Sequence, residues 1–150
     1  PGGAASDTAE VARRCDLILL SLPTPEASLA VAREFAPEIT PGTIVVETST
    51  VGPDTVKALH NLLSPQGVPV IDAAIVGGVA KLAAGEGVFL VGAEEAASGR
   101  AGELLRASCE EIHFLGARGA GMRMKLVVNA VAHGAATGLD KVKKFLARID

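Results

Sequence analysis

Three polar side chains are spaced so that they share one face of a predicted helix. Lys125, Asn129 and His133 follow one another at intervals of four residues, among apolar neighbours, and this spacing stacks side chains along a helix. Lys125 is either a surface lysine whose stem lies along apolar residues, or a half-buried acid/base whose ammonium form is disfavoured by desolvation and by the positive helix start. In the second case Asn129 would orient a substrate hydroxyl or the lysine. His133 is better explained by packing.

Polar and glycine-rich segments follow several predicted strands, where parallel α/β sheets bind their ligands. One carries hydroxyl groups at Ser49 and Thr50, another carries the glycine pair Gly77 and Gly78, and a third leads into the helix of Lys125. Paired glycines expose backbone N–H groups to an anion, and hydroxyl groups add hydrogen-bond donors. A rim that combines these features indicates a small-molecule site.

The elements that would position these residues alternate between short apolar runs and longer amphipathic stretches. This alternation is typical of an α/β fold with a parallel sheet. We predict strands at 17–22, 43–48, 68–72, 88–91 and 112–115, and helices at 7–14, 25–35, 53–63, 94–108 and from about 121 to 149. The segment 73–87 is rich in glycine and alanine and is predicted as a loop with one helical turn.

Composition narrows the class of protein. The 150 residues are 49% hydrophobic, with 14 basic and 17 acidic side chains, so the chain can bury a core and has no concentrated basic patch for nucleic acid. Its apolar runs are far shorter than a membrane helix needs. Cys15 and Cys109 lack the spacing of a metal site and are predicted to be free in a reducing, cytoplasmic compartment. We expect no metal.

The glycines around position 119 do not by themselves establish a cofactor site. Gly116, Gly119 and Gly121 have the reverse order of the dinucleotide fingerprint, which is G-x-G-x-x-G after a first strand.

Four ordered blocks together resemble the β-hydroxyacid dehydrogenase family, which includes 3-hydroxyisobutyrate dehydrogenase, tartronate semialdehyde reductase and 6-phosphogluconate dehydrogenase. The resemblance runs from about residue 4 to residue 139. Its blocks are DLILLSLPT (16–24), VVETSTVGP (45–53), DAAIVGGVAKLAAGEGVFLVG (72–92) and GARGAGMRMKLVVN (116–129). The last block matches the family signature G-x-x-G-x-G-x-x-x-K-x-x-x-N.

The resemblance implies an NAD- or NADP-dependent oxidoreductase that transfers hydride between nicotinamide and a small 3-hydroxy acid. It implies that Lys125 is the catalytic acid/base. The implied substrate-binding residues are Ser49, Gly77, Gly78 and Asn129, and the implied cofactor-binding residues are Leu22, Pro23 and Thr50.

The chain also departs from the family pattern. Val76 replaces the serine before the glycine pair, Ala74 replaces a proline, and Glu47 replaces an aspartate. The family's first strand–glycine turn–helix unit and its second strand have no counterpart in the sequence. We therefore expect a three-layer Rossmann-type parallel sheet that lacks the first βαβ unit (1–116), followed by the long first helix of a helical domain (117–150).

Without the first strand of the family, the run at 17–22 would become an exposed sheet edge, which invites pairing with another chain. We therefore expect a homo-oligomer, including a domain-swapped form. The alternative function is a truncated, non-catalytic remnant that acts as an oligomeric or small-anion-binding module.

Overall fold

A computed structural model describes the backbone of residues 6–146 and the side chains of residues 6–140. Its helices are Thr8–Arg14 (α1), Pro25–Phe35 (α2), Pro53–Leu63 (α3), Gly78–Ala83 (α4), Glu95–Ser108 (α5) and Ala120–Leu146 (α6). Its strands are Leu17–Leu20 (β1), Ile44–Glu47 (β2), Val70–Val76 (β3), Val88–Val91 (β4) and Glu111–Phe114 (β5).

The strands form one five-stranded sheet in the order β1-β2-β3-β4-β5. The pairs β1–β2, β2–β3 and β4–β5 are parallel, whereas β3 and β4 are antiparallel. The expected α/β fold of Rossmann type with a parallel sheet is therefore confirmed for most of the sheet, and the β3–β4 pair departs from the parallel arrangement. The connection between β3 and β4 holds only the six-residue helix α4, and a parallel return needs a crossover of a dozen or more residues.

Strand β3 is also longer than predicted. It continues through Ala73 and Ala74 to Val76, and its last four residues pair with β4 from Ala73↔Val91 to Val76↔Val88. Ala73 and Ala74 are almost fully buried, and their small side chains fit a strand that is covered on both faces. The loop consequently begins at Gly77 and not at Ala73.

The observed helices begin at or within one residue of the starts that the sequence predicts, apart from α4 in the predicted loop. The side chain of Asp7 accepts a hydrogen bond from Glu10 N at the start of α1, and Thr24 accepts one from Ala27 N at the start of α2. Pro25 and Pro53 occupy the first position of α2 and α3, where a missing N–H has no cost.

Helices cover both faces of the sheet, which makes three layers. On one face Val45, Val70 and Ala74 pack with buried residues of α1, α2, α3 and α6. On the other face Val46, Ala73 and their neighbours pack against Ala101 and Leu105 of α5. Cys109 is buried in this second core and Cys15 lies partly buried against the first; both are free.

Large apolar side chains stay exposed on several elements of the described chain, including Val79 on α4 and Leu104 on α5. Leu19 on strand β1 is 45% exposed, and α6 exposes Met124, Leu126, Val127, Val131 and Leu139. None of the described helices combines the length and apolar character that crossing a membrane requires.

Replacing Gly121 by alanine should destabilise the fold. A Cβ at this position would overlap the carbonyl oxygen of Leu90, so Gly121→Ala should lower the free energy of unfolding by about 3 kcal/mol. Gly134→Ala on the same helix is the matched control, because a Cβ there meets nothing within 4 Å. It should raise the free energy of unfolding by about 0.5–1 kcal/mol. Urea denaturation measures both, and equal effects would contradict the packing argument.

Candidate functional site

A buried carboxylate within strand β3 holds the start of α6 against the sheet. Asp72 is fully buried, and its Oδ1 accepts a hydrogen bond from Gly119 N at 2.7 Å while its Oδ2 accepts one from Met122 N at 3.0 Å. The N–H groups at a helix start lack partners within the helix and carry partial positive charge. The carboxylate satisfies two of these groups and receives charge stabilisation in return.

The glycine signature before Lys125 serves this junction. Gly119 has φ +82, a conformation that favours glycine. Its N–H donates the hydrogen bond to Asp72 Oδ1. Gly121 brings α6 against the backbone of β4 at Leu90. These glycines therefore determine how closely α6 approaches the sheet, and with it the position of Lys125 one turn later.

Lys125 is half-buried and lines a cleft of about 360 Å³ at the carboxyl ends of β1, β2 and β3. The structure brings five of the eight predicted site residues together around this cleft: Leu22, Ser49, Thr50, Gly78 and Lys125. The remaining lining residues are Ser21, Thr48, Ile75, Val79 and Leu82. The lining includes hydroxyl groups, apolar walls and one cation, and it includes no carboxylate.

Ser49 braces two of these loops against each other. Its Oγ accepts a hydrogen bond from Leu22 N at 2.8 Å and lies 3.4 Å from Ser28 Oγ. Its own N–H donates to Glu47 Oε1 at 2.7 Å. Because Ser49 is only 5% exposed, the geometry supports a role in holding Leu22 at the cleft. Direct contact with substrate by Ser49 stays a prediction.

The other three predicted site residues lie outside the lining. Gly77 precedes Gly78 with φ +115, and the side chain of Lys81 lies over it. Pro23 is exposed beside Leu22. Asn129 is half-buried one turn beyond Lys125, and its carbonyl oxygen lies 2.8 Å from Nδ1 of the exposed His133.

Two buried acids escaped the sequence reasoning as functional positions. The sequence predicts Asp72 only as the last residue of the strand 68–72, although it anchors α6, and it marks Glu47 only as a departure from the family pattern. Both are fully buried on paired positions of β2 and β3, and Glu47 Oε2 has no partner among the described residues. The signal was a single acid within one apolar run and another at the end of a second run, since acids are rarely buried without a partner.

No cluster of three metal-binding side chains is found among the residues that the structure describes.

The chain matches one protein family and is similar to several known proteins. A profile of the NAD binding domain of 6-phosphogluconate dehydrogenase matches residues 2–116. The chain is 32% identical to L-threonate dehydrogenase of Cupriavidus necator over 135 residues, covering 87% of this chain and 46% of that protein. It is 35% identical to NAD-dependent L-serine dehydrogenase of Pseudomonas aeruginosa over 123 residues, covering 74% and 41%. The chain thus spans about half the length of the curated relatives it matches.

A solved structure shares the fold. It is Mycobacterium tuberculosis 3-hydroxyisobutyrate dehydrogenase with L-serine, which superposes with a TM-score of 0.78 at 29% identity. The match covers 83% of this chain and 43% of the other.

Removing the charge of Asp72 should loosen the start of α6. In Asp72→Asn the side-chain NH2 group replaces one carboxylate oxygen and cannot accept a hydrogen bond, so one backbone N–H loses its acceptor. The free energy of unfolding should therefore fall by about 2–3 kcal/mol. Amide hydrogen exchange at Gly119 and Met122 should also quicken. Asp16→Asn is the matched control, because Asp16 forms only an exposed ion pair with Arg100, whose loss costs less than about 1 kcal/mol. Equal protection of Gly119 and Met122 in the unchanged chain and Asp72→Asn would disprove the anchor.

Proposed function

Because this chain belongs to the family of the NAD binding domain of 6-phosphogluconate dehydrogenase, we propose that it forms the nicotinamide and substrate side of an NAD- or NADP-dependent oxidoreductase for a small 3-hydroxy acid. The observation that carries this proposal is the cleft in which Lys125 lies with Leu22, Ser49, Thr50 and Gly78. The family inferred from the four sequence blocks agrees with the profile match. The activity and the substrate are our proposal, because the chain spans about half of its relatives.

The cleft fits the nicotinamide end of the cofactor. Leu22, Ile75, Val79 and Leu82 supply apolar walls, the neighbouring hydroxyl groups supply polar contacts, and no acid lines the cleft. Its volume of about 360 Å³ lies at the lower end of small-molecule pockets, which span about 300–1,000 Å³. We assign Leu22, Pro23 and Thr50 to this cofactor contact. The bound cofactor would supply the acceptor or donor of hydride.

The substrate would lie between the glycine loop and α6. Gly78 lines the cleft and Gly77 precedes it, so their backbone N–H groups are assigned to the substrate carboxylate. Val76 ends strand β3 and offers no side-chain hydrogen bond there, which leaves the backbone to bind the carboxylate. Asn129 is assigned to the substrate on the side of α6, and Ser49 to the same site through its hold on Leu22.

Lys125 is assigned as the acid/base. In the oxidative direction its neutral Nζ takes the proton of the substrate hydroxyl, while the hydride leaves the carbon that bears this hydroxyl. The same Nζ returns the proton in reduction. Lys125 is the only side chain among the lining residues that carries an ionisable acid/base group, which favours this role.

A second candidate function is a non-catalytic, oligomeric module, and the edge of the sheet favours it. Strand β1 has a partner only on the side of β2 among the described strands, and Leu19 on this strand is 45% exposed. An apolar cleft of about 270 Å³ lies beside it, lined in part by Ile18, Leu20, Val31 and Phe35. An edge of this kind accepts a further strand, so we propose a homo-oligomer, including a domain-swapped form.

The proposed domain organisation and cellular compartment of the chain follow from its sequence blocks and its cysteines. We propose that 1–116 is a partial dinucleotide-binding domain and that 117–150 begins a helical domain. The end of the profile match at residue 116 supports this boundary. A reducing cytoplasm remains the proposed compartment, since both cysteines are free.

Cofactor binding and the role of Lys125 can be tested together. The 150-residue chain should bind NADH or NADPH at millimolar concentration, detected by nicotinamide fluorescence. Lys125→Ala should keep this binding but lower kcat for small 3-hydroxy acids by about 100-fold or more. Arg33→Ala, at an exposed position on α2, is the charge-matched control and should keep both properties. Failure of the chain to bind either cofactor would contradict the proposed nicotinamide contact, and full activity of Lys125→Ala would eliminate the acid/base.

Oligomer formation through β1 can be tested by a charge at the edge. Leu19→Lys should shift the chain from an oligomer to a monomer in light scattering, because a lysine on an edge strand opposes strand pairing. Leu104→Lys on α5, where Leu104 is 38% exposed, should leave the oligomer intact. A stable, monodisperse monomer of the unchanged chain would refute this proposal.

A further inference from the structure

A second polar cleft lies between α3 and the start of α6. Its volume is about 370 Å³, and it shares no residue with the cleft of Lys125. Its lining residues are Pro53, Asp54, Lys57, His60, Asn61, Arg118 and Arg123. Four of these seven side chains are basic and one is acidic, although the chain as a whole carries a net charge of −3.

Three cations of this cleft, Lys57, Arg118 and Arg123, have no ion-pair partner among the side chains of residues 6–140. Among the described side chains, the ion pairs involve Arg13, Arg14, Arg100, Arg106 and His113. None involves Lys57, Arg118 or Arg123, even though Asp54 lines the same cleft. Charges grouped in this way repel one another, so internal charge pairing does not explain the cluster.

The position of the cluster in the fold adds to this repulsion. Arg118 precedes α6 and Arg123 lies in its first turn, where the helix dipole disfavours cations. The nearby buried carboxylate, Asp72, already accepts hydrogen bonds from Gly119 and Met122. A bound anion would relieve a repulsion that the described residues leave uncompensated.

His60 contributes an unused polar atom. Its Nδ1 is buried and has no hydrogen-bond partner among the described residues. Burial, and secondarily the charge of Arg118, lower the pKa of His60 below its ordinary value of 6.5. Because His60 also lines the cleft, its neutral imidazole adds hydrogen-bonding capacity beside the cations without adding to their repulsion.

We propose that this cleft binds a small molecule through a phosphate group, with Arg118, Arg123 and Lys57 as its cationic contacts and His60 as a hydrogen-bonding partner. One guanidinium group can donate two parallel hydrogen bonds to two phosphate oxygens, and the ammonium of a lysine adds a compact positive charge. A dianion balances three cations better than a monoanion does, which favours phosphate over a single carboxylate. This site is independent of the cofactor and substrate proposed for Lys125.

Calorimetric titration of the 150-residue chain tests the proposal. Inorganic phosphate and glycerol phosphate are titrated separately at constant ionic strength, because added salt alone screens the cluster. Saturable binding of one phosphate per chain at millimolar concentration is expected. Tighter binding of glycerol phosphate would identify a phosphate monoester as the ligand class, whereas equal or tighter binding of inorganic phosphate would identify the free ion.

Two variants locate the site. Arg118→Ala and Arg123→Ala should each weaken phosphate binding by about tenfold or more, the usual effect of losing a charge-assisted hydrogen bond. Arg33→Ala removes an exposed arginine from α2 and should leave the affinity unchanged. No saturable binding, or equal weakening in all three variants, would overturn the proposal.

The imidazole provides a local signal. In NMR titrations, phosphate should raise the pKa of His60, because a neighbouring dianion favours the imidazolium form. The imidazole NMR signals of His113 and His133, outside this cleft, should not respond to phosphate. His60→Gln identifies the signal. An unshifted His60 at saturating phosphate would place the bound ion elsewhere and refute this site.

Discussion

The position of α6 depends on the hydrogen bonds between the carboxylate of Asp72 and the backbone N–H groups of Gly119 and Met122. A buried carboxylate is costly unless its oxygens have donors, and the start of a helix has donors without partners. Each group therefore satisfies the other inside the protein. Because α6 is anchored at this end, Lys125 lies over the carboxyl ends of three strands. A weaker junction would leave the lysine without a defined position.

Close packing makes the same junction intolerant of bulk. Gly121 presses the first turn of α6 against Leu90, and Gly119 lies beside Pro53 at the start of α3, where a Cβ would be 3.2 Å from the proline Cβ. The first turns of the two helices thus lie side by side. Lys125 lines a cleft on one side of α6, while Arg118 and Arg123 line another. The start of α6 therefore positions Lys125 and both arginines, while Lys57 is contributed by α3.

The cleft of Lys125 also depends on hydrogen bonds between loops. Ser49 Oγ holds Leu22 through its N–H, and Thr48 Oγ1 donates to the carbonyl oxygen of Leu20 at 2.8 Å. These bonds join the ends of β1 and β2 below the cleft. The hydroxyl groups of this loop consequently serve the scaffold first, and the exposed Thr50 is the one that remains free to face a ligand.

By itself the sequence determined the α/β class, most helix limits and the family, because caps, prolines and apolar runs act over a few residues and the four blocks keep their order. The spacing of Lys125 and Asn129 likewise followed from helix geometry. Only the tertiary structure decided that β4 runs antiparallel to β3, that Asp72 anchors α6, and that Arg118 and Arg123 line the same cleft as Lys57. Those facts depend on contacts between residues far apart in the chain, such as the 47 positions between Asp72 and Gly119, and no local pattern records which distant groups will meet.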